Sequence, residues 1–404
     1  MSRLEELIQK YCPDGVEYLS IGSLITRVRN KGGKNPSVKT VYSVSNTQGL
    51  VKAEDYRENV IYSEDTSNYI VVEKGMFAYN PARLNIGSLA WLQADQPGLV
   101  SPMYVVFSID QTKITPEFLY LYLKSPYVNG KINSLTESGA RFRFDFERWG
   151  LIEIPVPPLP VQEEIVKVLE TFTVLQAELQ VELQKRLQQS NFYRDNLLSF
   201  GGRTDIKRKR LGDICSVITK GTTPPMFQEC GVSFVKTECF EGIFINKDKL
   251  SFVSEEIHNN FLKRSILNEN DILITIAGAT IGKSVLVPKD ILPANTNQAL
   301  AIIRVNKENN PQFVFHVLRS GIMSQYIKKS IKGSAQPNLT LALLNDFLVP
   351  IPSSQEQEKI ISILNRFDTL TYDLTAGLPA EIEKRRQQYE FYRDKLLTFK
   401  RKEA

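Results

Sequence analysis

The sequence contains few of the residues from which metal sites and nucleophilic centres are built. Its 404 residues include only four cysteines and two histidines, and no cysteine pair has the C-x-x-C spacing. A structural zinc site needs four clustered donors, and a catalytic nucleophile usually needs an adjacent base. We therefore expect no metal site, ordinary histidines, and reduced structural thiols at Cys12, Cys215, Cys230 and Cys239.

Long hydrophobic runs are also missing. No stretch approaches the roughly 20 consecutive apolar residues that a membrane-spanning helix needs. The opening segment, Met1–Glu6, is polar and does not resemble a secretory signal. We therefore expect a cytoplasmic protein. The length of 404 residues, with 42% hydrophobic and 24% charged residues, is typical of two or three ordinary folded domains.

Cofactor-binding motifs are incomplete. The segment from Gly278 to Ser284 resembles a phosphate-binding loop, but three residues separate its glycines where that loop requires four. Asn80-Pro81-Ala82 begins like the Asn-Pro-Pro-Tyr motif of adenine methyltransferases, yet the second proline and the aromatic residue are missing. We therefore predict neither a catalytic centre nor a cofactor in this chain.

The charge of the chain indicates nucleic acid binding only weakly. The formal net charge is +5, and residues 201–350 carry 19 Lys and Arg against 13 Asp and Glu. Runs of Lys and Arg usually form solvated surface. Charge alone therefore leaves the function open.

The most informative feature of the sequence is an internal repeat. Residues 192–200 and 391–399 are identical at seven of nine positions, at an offset of 199. Residues 154–157 and 349–352 both alternate Ile or Val with Pro, and here the offset is 195. The second copy thus carries four additional residues, which we place around Thr375–Pro379. Glycine and proline so close together should break or kink a helix at that point.

Each copy of the repeat reads as a proline-rich segment followed by a long amphipathic helix. Apolar residues at spacings of three and four fall at Ile165, Leu169, Phe172, Leu175, Leu179, Leu183 and Leu187, and again at Ile360, Leu364, Phe367, Leu370 and Leu374. A surface helix on a globular core shows a similar pattern. Because both copies have this narrow stripe, we favour packing of one long helix against the other.

The segments before the two helices contain short β-rich runs separated by Gly, Pro and Asn turns. They share a few anchors and little between them. One anchor is Ile86-Gly87, which corresponds to Ile281-Gly282. The sequence therefore predicts a variable domain, a shared helix, a second variable domain, and the shared helix again.

These motifs, in this order, resemble those of the specificity subunits of Type I restriction–modification systems. The second half has Leu-Gly-Asp-Ile at 211–214 and Gly-Ser-Ala-Gln-Pro-Asn-Leu at 333–339 before the proline-rich segment. In the first half, residues 79–83 and 100–107 are similar to another variant of the same recognition domain. The repeated Phe-Tyr-Arg-Asp-x-Leu-Leu ending is also typical of that family. The resemblance covers essentially the whole chain.

The resemblance implies an α+β fold. Two globular α/β target recognition domains would alternate with two long helices, which pack as an antiparallel coiled coil with pseudo-two-fold symmetry. The implied divisions are an N-terminal amphipathic helix at 1–16, recognition domains at 17–153 and 201–348, and helical spacers at 154–200 and 349–404. We expect the N-terminal helix to complete the packing of the second spacer, which would make the fold almost circular.

The family also implies a non-catalytic role in reading DNA. Each domain would read one half of a bipartite site in double-stranded DNA, and each half would contain an adenine to be methylated. The helices would set the spacing between half-sites and dock two methyltransferase subunits, which restriction subunits would join. S-adenosylmethionine is then expected on the methyltransferase subunit, and ATP and Mg²⁺ on the restriction subunit.

Candidate DNA-contacting residues follow from the chemistry of base edges. Arg and Lys pair with guanine, and Asn and Gln pair with adenine, so we looked for these side chains in polar turns between strands. In the first domain the candidates are Lys31, Lys34, Asn46, Asn80, Arg83, Arg141 and Arg143. In the second domain they are Lys220, Thr222, Lys236, Asn295, Asn297, Gln298, Gln336 and Asn338.

Three other classes of protein compete with this interpretation. A restriction–methylation fusion enzyme would need the cofactor loop and catalytic motif that are missing. An RNA-binding module of the common single-strand type would carry an aromatic-rich sheet motif, which the chain lacks. A non-catalytic scaffold with two protein-binding modules on helical arms stays open, and it predicts no salt-sensitive affinity for DNA.

Overall fold

The protein divides into two compact units. The computed structural model describes residues 3–32, 38–45, 49–56, 65–136, 142–330, 338–373 and 375–403. Unit 1 comprises Met1–Gln176 and Arg385–Ala404, and unit 2 comprises Ala177–Lys384. Each unit therefore combines one globular domain with parts of both helical segments. The compact units cut across the helical segments, whereas the divisions drawn from the sequence follow the repeat.

The helices of the described residues are α1 (Arg3–Tyr11), α2 (Ile21–Leu24), α3 (Ala53–Tyr56), α4 (Pro116–Leu123), α5 (Pro126–Ser134), α6 (Leu159–Ser199), α7 (Leu211–Ile214), α8 (Glu255–Asn259), α9 (Pro311–Leu318), α10 (Gly321–Ser330), α11 (Leu341–Asp346), α12 (Ser354–Tyr372) and α13 (Leu378–Leu396). Within the described ranges, none of these helices is long and apolar enough to cross a membrane.

The strands of unit 1 are β1 (Glu17–Ser20), β2 (Ile25–Val28), β3 (Val41–Ser45), β4 (Gly49–Lys52), β5 (Ile70–Val72), β6 (Phe77–Tyr79), β7 (Leu89–Trp91), β8 (Gly98–Val100), β9 (Val105–Ile109) and β10 (Glu153–Val156). Two four-stranded sheets, with orders β2-β9-β6-β7 and β4-β3-β8-β5, form the globular domain. Phe77 and Phe107 lie on adjacent strands of the first sheet, are fully buried, and stack with ring centroids 5.1 Å apart.

The strands of unit 2 are β11 (Lys207–Arg210), β12 (Cys215–Lys220), β13 (Val232–Val235), β14 (Phe240–Glu241), β15 (Phe244–Ile245), β16 (Ser251–Val253), β17 (Ile272–Thr275), β18 (Ser284–Leu286), β19 (Ala294–Thr296), β20 (Leu300–Val305) and β21 (Leu348–Ile351). The larger sheet has the order β12-β20-β17-β18, and a second sheet has the order β16-β13-β19. The continuous apolar run of β17 is buried at every position, as expected for a central strand.

The two globular domains share one framework. In each larger sheet an antiparallel chain of pairings runs β2-β9-β6-β7 in unit 1 and β12-β20-β17-β18 in unit 2. Each smaller sheet contains one parallel pair, β3 with β8 and β13 with β19. The duplication therefore extends to domains whose sequences share only a few anchors.

Equivalent aromatic pairs hold the helical segments together within each unit. In unit 1, Phe172 of α6 stacks on Tyr392 of α13 with ring centroids 5.3 Å apart. In unit 2, Phe367 of α12 stacks on Tyr193 of α6, also at 5.3 Å. Both pairs join the early part of one repeat to the Phe-Tyr-Arg-Asp ending of the other. This exchange is what antiparallel packing of the two repeats requires, and it confirms the predicted fold class.

The second helical segment is interrupted where the additional residues were placed. Helix α12 ends at Tyr372 and α13 begins at Leu378, with the Gly377 amide donating to the Asp373 carbonyl at 3.1 Å. The first segment, α6, continues for 41 residues without a break. The predicted break is confirmed.

The start of each long helix is fixed by a buried glutamine. The Nε2 of Gln162 donates to the Pro157 carbonyl at 2.7 Å, and the Nε2 of Gln357 donates to the Pro352 carbonyl at 3.0 Å. These glutamines occupy equivalent positions, and both are at most 8% exposed. A buried amide needs such partners, so the contact explains why the proline-rich segment and the glutamine recur together.

The two ends of the chain meet in unit 1. The Val16 amide donates to the Lys400 carbonyl at 2.9 Å, and the Lys402 amide donates to the Val16 carbonyl at 2.9 Å. Leu4 of α1 is buried in the same hydrophobic cluster as Leu397. The N-terminal helix therefore packs with the end of the second helical segment, as the sequence indicated.

Unit 2 contains a buried network of charged and polar side chains where α6, α9 and α12 meet. The Asp368 carboxylate accepts from the Arg319 guanidinium at 2.6 and 3.0 Å and from Arg194 Nη2 at 3.4 Å. His316 Nε2 lies 2.9 Å from Asn365 Oδ1. Two arginines thus share one carboxylate out of water, where an unpaired charge is costly.

This network makes the stability of unit 2 dependent on pH. Burial, with help from the two arginines, lowers the pKa of His316 from 6.5 to about 4. Below pH 6.5 the unfolded chain therefore binds a proton that the folded chain refuses, and stability is lost as the pH falls from about 6.5 towards about 4. The loss should reach about 3 kcal/mol. In urea unfolding at pH 7.5, 6 and 5, His316→Gln should flatten this dependence. Equal slopes for both proteins would contradict the prediction.

Candidate nucleic-acid interface

A basic cleft lies on the globular domain of unit 1, where β2 leaves the larger sheet. It has a volume of about 480 Å³, and Arg27, Arg29, Lys31 and Arg143 contribute to its lining. The first three alternate along one extended segment, which places them on one side of the chain. Arg143 reaches the same cleft from a separate segment of the chain.

The cations of this cleft are only partly neutralised. Arg143 Nε donates to Asp145 Oδ1 at 3.1 Å, and the Arg27 guanidinium lies 4.0 Å from Glu147. Lys31 Nζ donates to the neutral Asn68 at 3.1 Å. The cleft therefore keeps an excess of positive charge beside a hydrogen-bonding amide, which suits phosphate and base edges.

Two other candidates of the first domain lie in the turn after β6. Arg83 is exposed and its amide donates to the Asn80 carbonyl at 3.0 Å. Asn80 is only 8% exposed, and its Oδ1 accepts from the Ala82 amide at 2.9 Å. The Oδ1 of Asn80 therefore holds this turn, and a contact of Asn80 with DNA stays a prediction. Arg83 stays a prediction.

Polar side chains of the second domain gather at the ends of neighbouring strands. Residues Thr296 and Val235 are paired in the parallel strands β19 and β13, so Asn297 and Lys236 follow at adjacent strand ends. The Thr222 amide donates to the Thr296 carbonyl at 2.9 Å. We call the group so assembled the strand-end cluster: Lys220, Thr222, Lys236, Asn297 and Gln298.

Three side chains of the strand-end cluster already have hydrogen-bond or ion-pair partners within the domain. Gln298 is exposed and its Oε1 accepts from the Thr223 hydroxyl. Asn297 Oδ1 accepts from the Ala299 amide at 3.2 Å. Lys236 Nζ lies 2.8 Å from Glu238. These bonds orient the amide groups of Asn297 and Gln298, whose NH2 groups can donate to adenine N7 or to a phosphate oxygen.

Asn295 is not available to DNA. Its side chain is fully buried, with Oδ1 2.6 Å from His258 Nδ1 and Nδ2 donating to the Leu262 carbonyl at 3.1 Å. This prediction was wrong because Asn295 lies inside strand β19, where its amide cross-links the domain, rather than in the turn that follows.

Arg143 and Asn338 occupy equivalent positions in the two domains. The residue after Arg143, Phe144, donates its amide to the Pro81 carbonyl, and the residue after Asn338, Leu339, donates its amide to the Ile276 carbonyl, both at 2.9 Å. The same backbone position thus carries a guanidinium in one domain and a carboxamide in the other. Such a difference is what readers of unlike half-sites need.

Some candidate residues cannot be placed. Lys34, Asn46, Arg141 and Gln336 lie outside the described residues. The residues that the sequence interpretation missed are Arg27, Arg29 and Asn68, which line the cleft beside Lys31. The alternation Arg27-Val28-Arg29-Asn30-Lys31 at the end of a strand was a usable signal for the two arginines. Asn68 comes from a distant turn and had none.

No metal centre accompanies these surfaces in the part of the chain that is described, where no group of three or more His, Cys, Asp or Glu could hold an ion. Burial raises the pKa of the Cys12 and Cys239 thiols. It raises the pKa of the Cys215 thiol to about 12. These cysteines stay protonated at neutral pH and are unreactive.

Gly221 allows the two polar loops of the strand-end cluster to approach closely. A Cβ at this position would lie 2.2 Å from the backbone carbonyl oxygens of both Thr296 and Asn297. Gly221→Ala should therefore push the loops apart and lower the free energy of unfolding by about 1–3 kcal/mol, which chemical denaturation would measure. Gly201→Ala is the matched control, since a Cβ there meets nothing within 4 Å. Equal stability of the two variants would contradict the close approach.

Comparison with known proteins identifies the family of the chain that carries these two surfaces. The family model described as the Type I restriction modification DNA specificity domain matches the chain twice, at residues 17–189 and 204–384. The two matches each contain one of the globular domains, so the chain is built from two DNA-specificity domains. The chain belongs to the family of Type I restriction–modification specificity subunits.

Relatives in sequence agree with this assignment. The chain is 27% identical over 384 residues to the Type I restriction enzyme EcoR124I/EcoR124II specificity subunit of Escherichia coli, covering 89% of this chain and 92% of that protein. It is 30% identical over 309 residues to a putative type I specificity subunit of Haemophilus influenzae, covering 71% of this chain and 73% of that protein.

Solved structures share the fold at low sequence identity. A chain from a structural study of complex assembly in the type I R-M system superposes with a TM-score of 0.61 at 15% identity, covering 95% of this chain and 98% of that chain. The S subunit from M. genitalium gives a TM-score of 0.52 at 17% identity, covering 95% of this chain and 96% of that chain.

Proposed function

We propose that each globular domain reads one half of a bipartite DNA site and that the two halves differ. The observation that carries this proposal is the equivalent placement of Arg143 and Asn338 on one shared framework. Arg favours guanine and Asn favours adenine. Around them, the first domain offers the basic cleft and the second offers the strand-end cluster. A common scaffold with different reading groups suits an asymmetric target.

The helical segments then act as the spacer. Each unit joins parts of α6 to parts of the second helical segment through an aromatic stack of the same geometry. A rigid helical connection would hold the two reading surfaces at a defined separation, and so define the number of unread base pairs. The same segments would dock two methyltransferase subunits, which restriction subunits join.

This chain supplies recognition and leaves the chemistry to its partners. The proposed reaction of the assembly is methylation of an adenine in each half-site, and cleavage when restriction subunits are present. S-adenosylmethionine would bind to the methyltransferase subunit, and ATP and Mg²⁺ to the restriction subunit. The cysteines with raised pKa and the histidine buried beside Asp368 support structural roles for the chain's own titratable groups.

Mapping methylated adenines tests the proposal. Cells that carry the methyltransferase subunit with this chain should show one motif of two unlike halves around a fixed gap, and cells without this chain should lose it. Arg143→Ala should relax one half of the motif, and Asn338→Ala should relax only the other half. A methylome that is the same with and without the chain, while the methyltransferase is active, would refute the proposal and favour the protein-binding scaffold.

A further inference from the structure

A pocket of the same construction occurs in both globular domains, away from the basic cleft and the strand-end cluster. We call these pockets socket 1 and socket 2. Socket 1 has a volume of about 320 Å³, and its lining includes Ile86, Gly87, Leu123, Lys124, Asn129 and Ile132. Socket 2 has a volume of about 600 Å³, and its lining includes Ile281, Gly282, Leu318, Arg319, Ser324 and Ile327.

Seven positions line both sockets at the repeat offset of 195, and four of the seven are identical. Lys124 and Arg319 keep a cation, and Asn129 and Ser324 keep a small polar group. At the seventh position Leu89 is replaced by Ser284. The domains share little elsewhere, and their reading positions differ, as Arg143 and Asn338 do. A feature kept in both domains while the readers diverged is expected to bind the same ligand twice.

A left-handed glycine presents an isoleucine at the rim of each socket. Gly87 and Gly282 have φ values of 85° and 89°, a conformation that L side chains rarely adopt. The preceding Ile86 is 62% exposed although it is a large apolar residue, whereas Ile281 is half-buried and packs against the hydrophobic core of unit 2. An apolar side chain held in this way at the rim of a pocket offers a contact for another apolar group.

The floor of each socket carries a cation. Lys124 Nζ donates to the Gly87 carbonyl at 2.6 Å, and its side chain forms no ion pair within the described residues. Burial lowers the pKa of Lys124, as expected for an ammonium group without a carboxylate beside it. In socket 2, Arg319 and Arg194 share the single carboxylate of Asp368, and Lys283 stands at the pocket edge. Both sockets therefore have uncompensated positive charge.

We propose that each socket receives an acidic side chain, with an apolar side chain next to it, from one copy of the methyltransferase subunit. This inference rests on the proposed function, in which two such subunits join the chain. A carboxylate complements the cation of the floor, and an aliphatic neighbour covers the rim isoleucine. Two equivalent sockets require two equivalent occupants, which a pair of identical subunits supplies. DNA phosphates would match the cation but would bring no apolar group to the rim isoleucine.

The test uses the full-length chain and the purified cognate methyltransferase subunit, with the composition of the complex measured by native mass spectrometry. Ile86→Asp places a carboxylate at the rim of socket 1, where it should repel the incoming acidic group and weaken binding of one methyltransferase copy at least 10-fold. Ile281→Asp should do the same for the other copy, and the double variant should weaken the binding of both copies. Lys124→Gln should weaken the same copy as Ile86→Asp, without adding a charge to the surface.

Controls separate the outcomes. Met103→Asp changes an exposed apolar residue of the basic cleft, and it should weaken DNA binding while leaving methyltransferase binding intact. Thermal unfolding should show that Ile86→Asp, Ile281→Asp, their double variant and Lys124→Gln are folded. Full binding of two methyltransferase copies by the double socket variant would overturn the socket proposal alone. A drop in DNA affinity and in its salt dependence, with methyltransferase binding unchanged, would assign the sockets to phosphate instead. A wild-type chain that binds no methyltransferase would overturn the proposed function itself.

Discussion

Replacing Arg29, Lys31 and Arg143 together with alanine should weaken binding of double-stranded DNA by about 100-fold near physiological salt, because three cations of one cleft are lost. Each cation that touches a phosphate releases counterions on binding. The slope of log affinity against log salt should therefore become shallower by up to about 2.7. Fluorescence anisotropy with a labelled duplex, measured across a salt series, gives both quantities.

The matched control removes the same charge from elsewhere in unit 1. Lys10, Lys74 and Lys113 are exposed and lie outside the cleft, so their triple alanine variant has the same net charge as the cleft variant. Its DNA affinity should change less than about threefold, because distant surface charges are screened. If both triple variants lose affinity equally, long-range charge rather than the cleft binds DNA. If neither variant loses affinity, the cleft is not a DNA-binding surface.

Much of the fold could be predicted from the sequence because the chain repeats. The offsets of 195 and 199 located the additional residues between α12 and α13. Periodicity alone identified the long helices, since a stripe of apolar residues at spacings of three and four from Ile165 to Leu187 has few other interpretations. The recurrence of Gln162 and Gln357 was visible, although their role in tethering the proline-rich segment needed the structure.

The candidate site was less predictable because it is assembled from distant segments. Residue type pointed to turns, and this named Lys31 and Arg143, which line the basic cleft, and all five members of the strand-end cluster. It failed for Asn295, since a strand interior and a following turn differ by only two residues here. It also missed Asn68, which reaches the cleft through a hydrogen bond to Lys31 across 37 positions of sequence. Such contacts depend on the path of the chain, which local sequence does not specify.

The duplicated domains separate two kinds of surface. The sockets keep the same residue types in both domains, whereas the reading positions differ. A protein that must hold identical partners while reading unlike half-sites needs this combination, because changes at the reading positions then leave assembly intact. Each such position has an equivalent in the other domain, so the effect of a substitution in one domain can be compared with that of the same substitution in the other.

The buried network of unit 2 allows such a comparison, because its central carboxylate has a different residue at the equivalent position of the first repeat. Asp368 is 5% exposed and is the carboxylate that Arg194 and Arg319 share. Asp368→Asn should lower the free energy of unfolding by about 3–5 kcal/mol, because it leaves two buried guanidinium groups without a counter-charge. Denaturant unfolding followed by circular dichroism would measure this loss.

Thr173 stands at the equivalent position of the first repeat, where it is exposed and its hydroxyl donates to the Leu169 carbonyl at 3.2 Å. Thr173→Ala should therefore cost less than about 0.5 kcal/mol. Combining Asp368→Asn with Arg194→Met should cost less than the sum of the two single changes, since one stranded cation has been removed. Additive losses would show that the arginines do not depend on this carboxylate. A result in which Asp368→Asn is as mild as Thr173→Ala would show that water reaches the network and that the two repeats are held by the same apolar contacts.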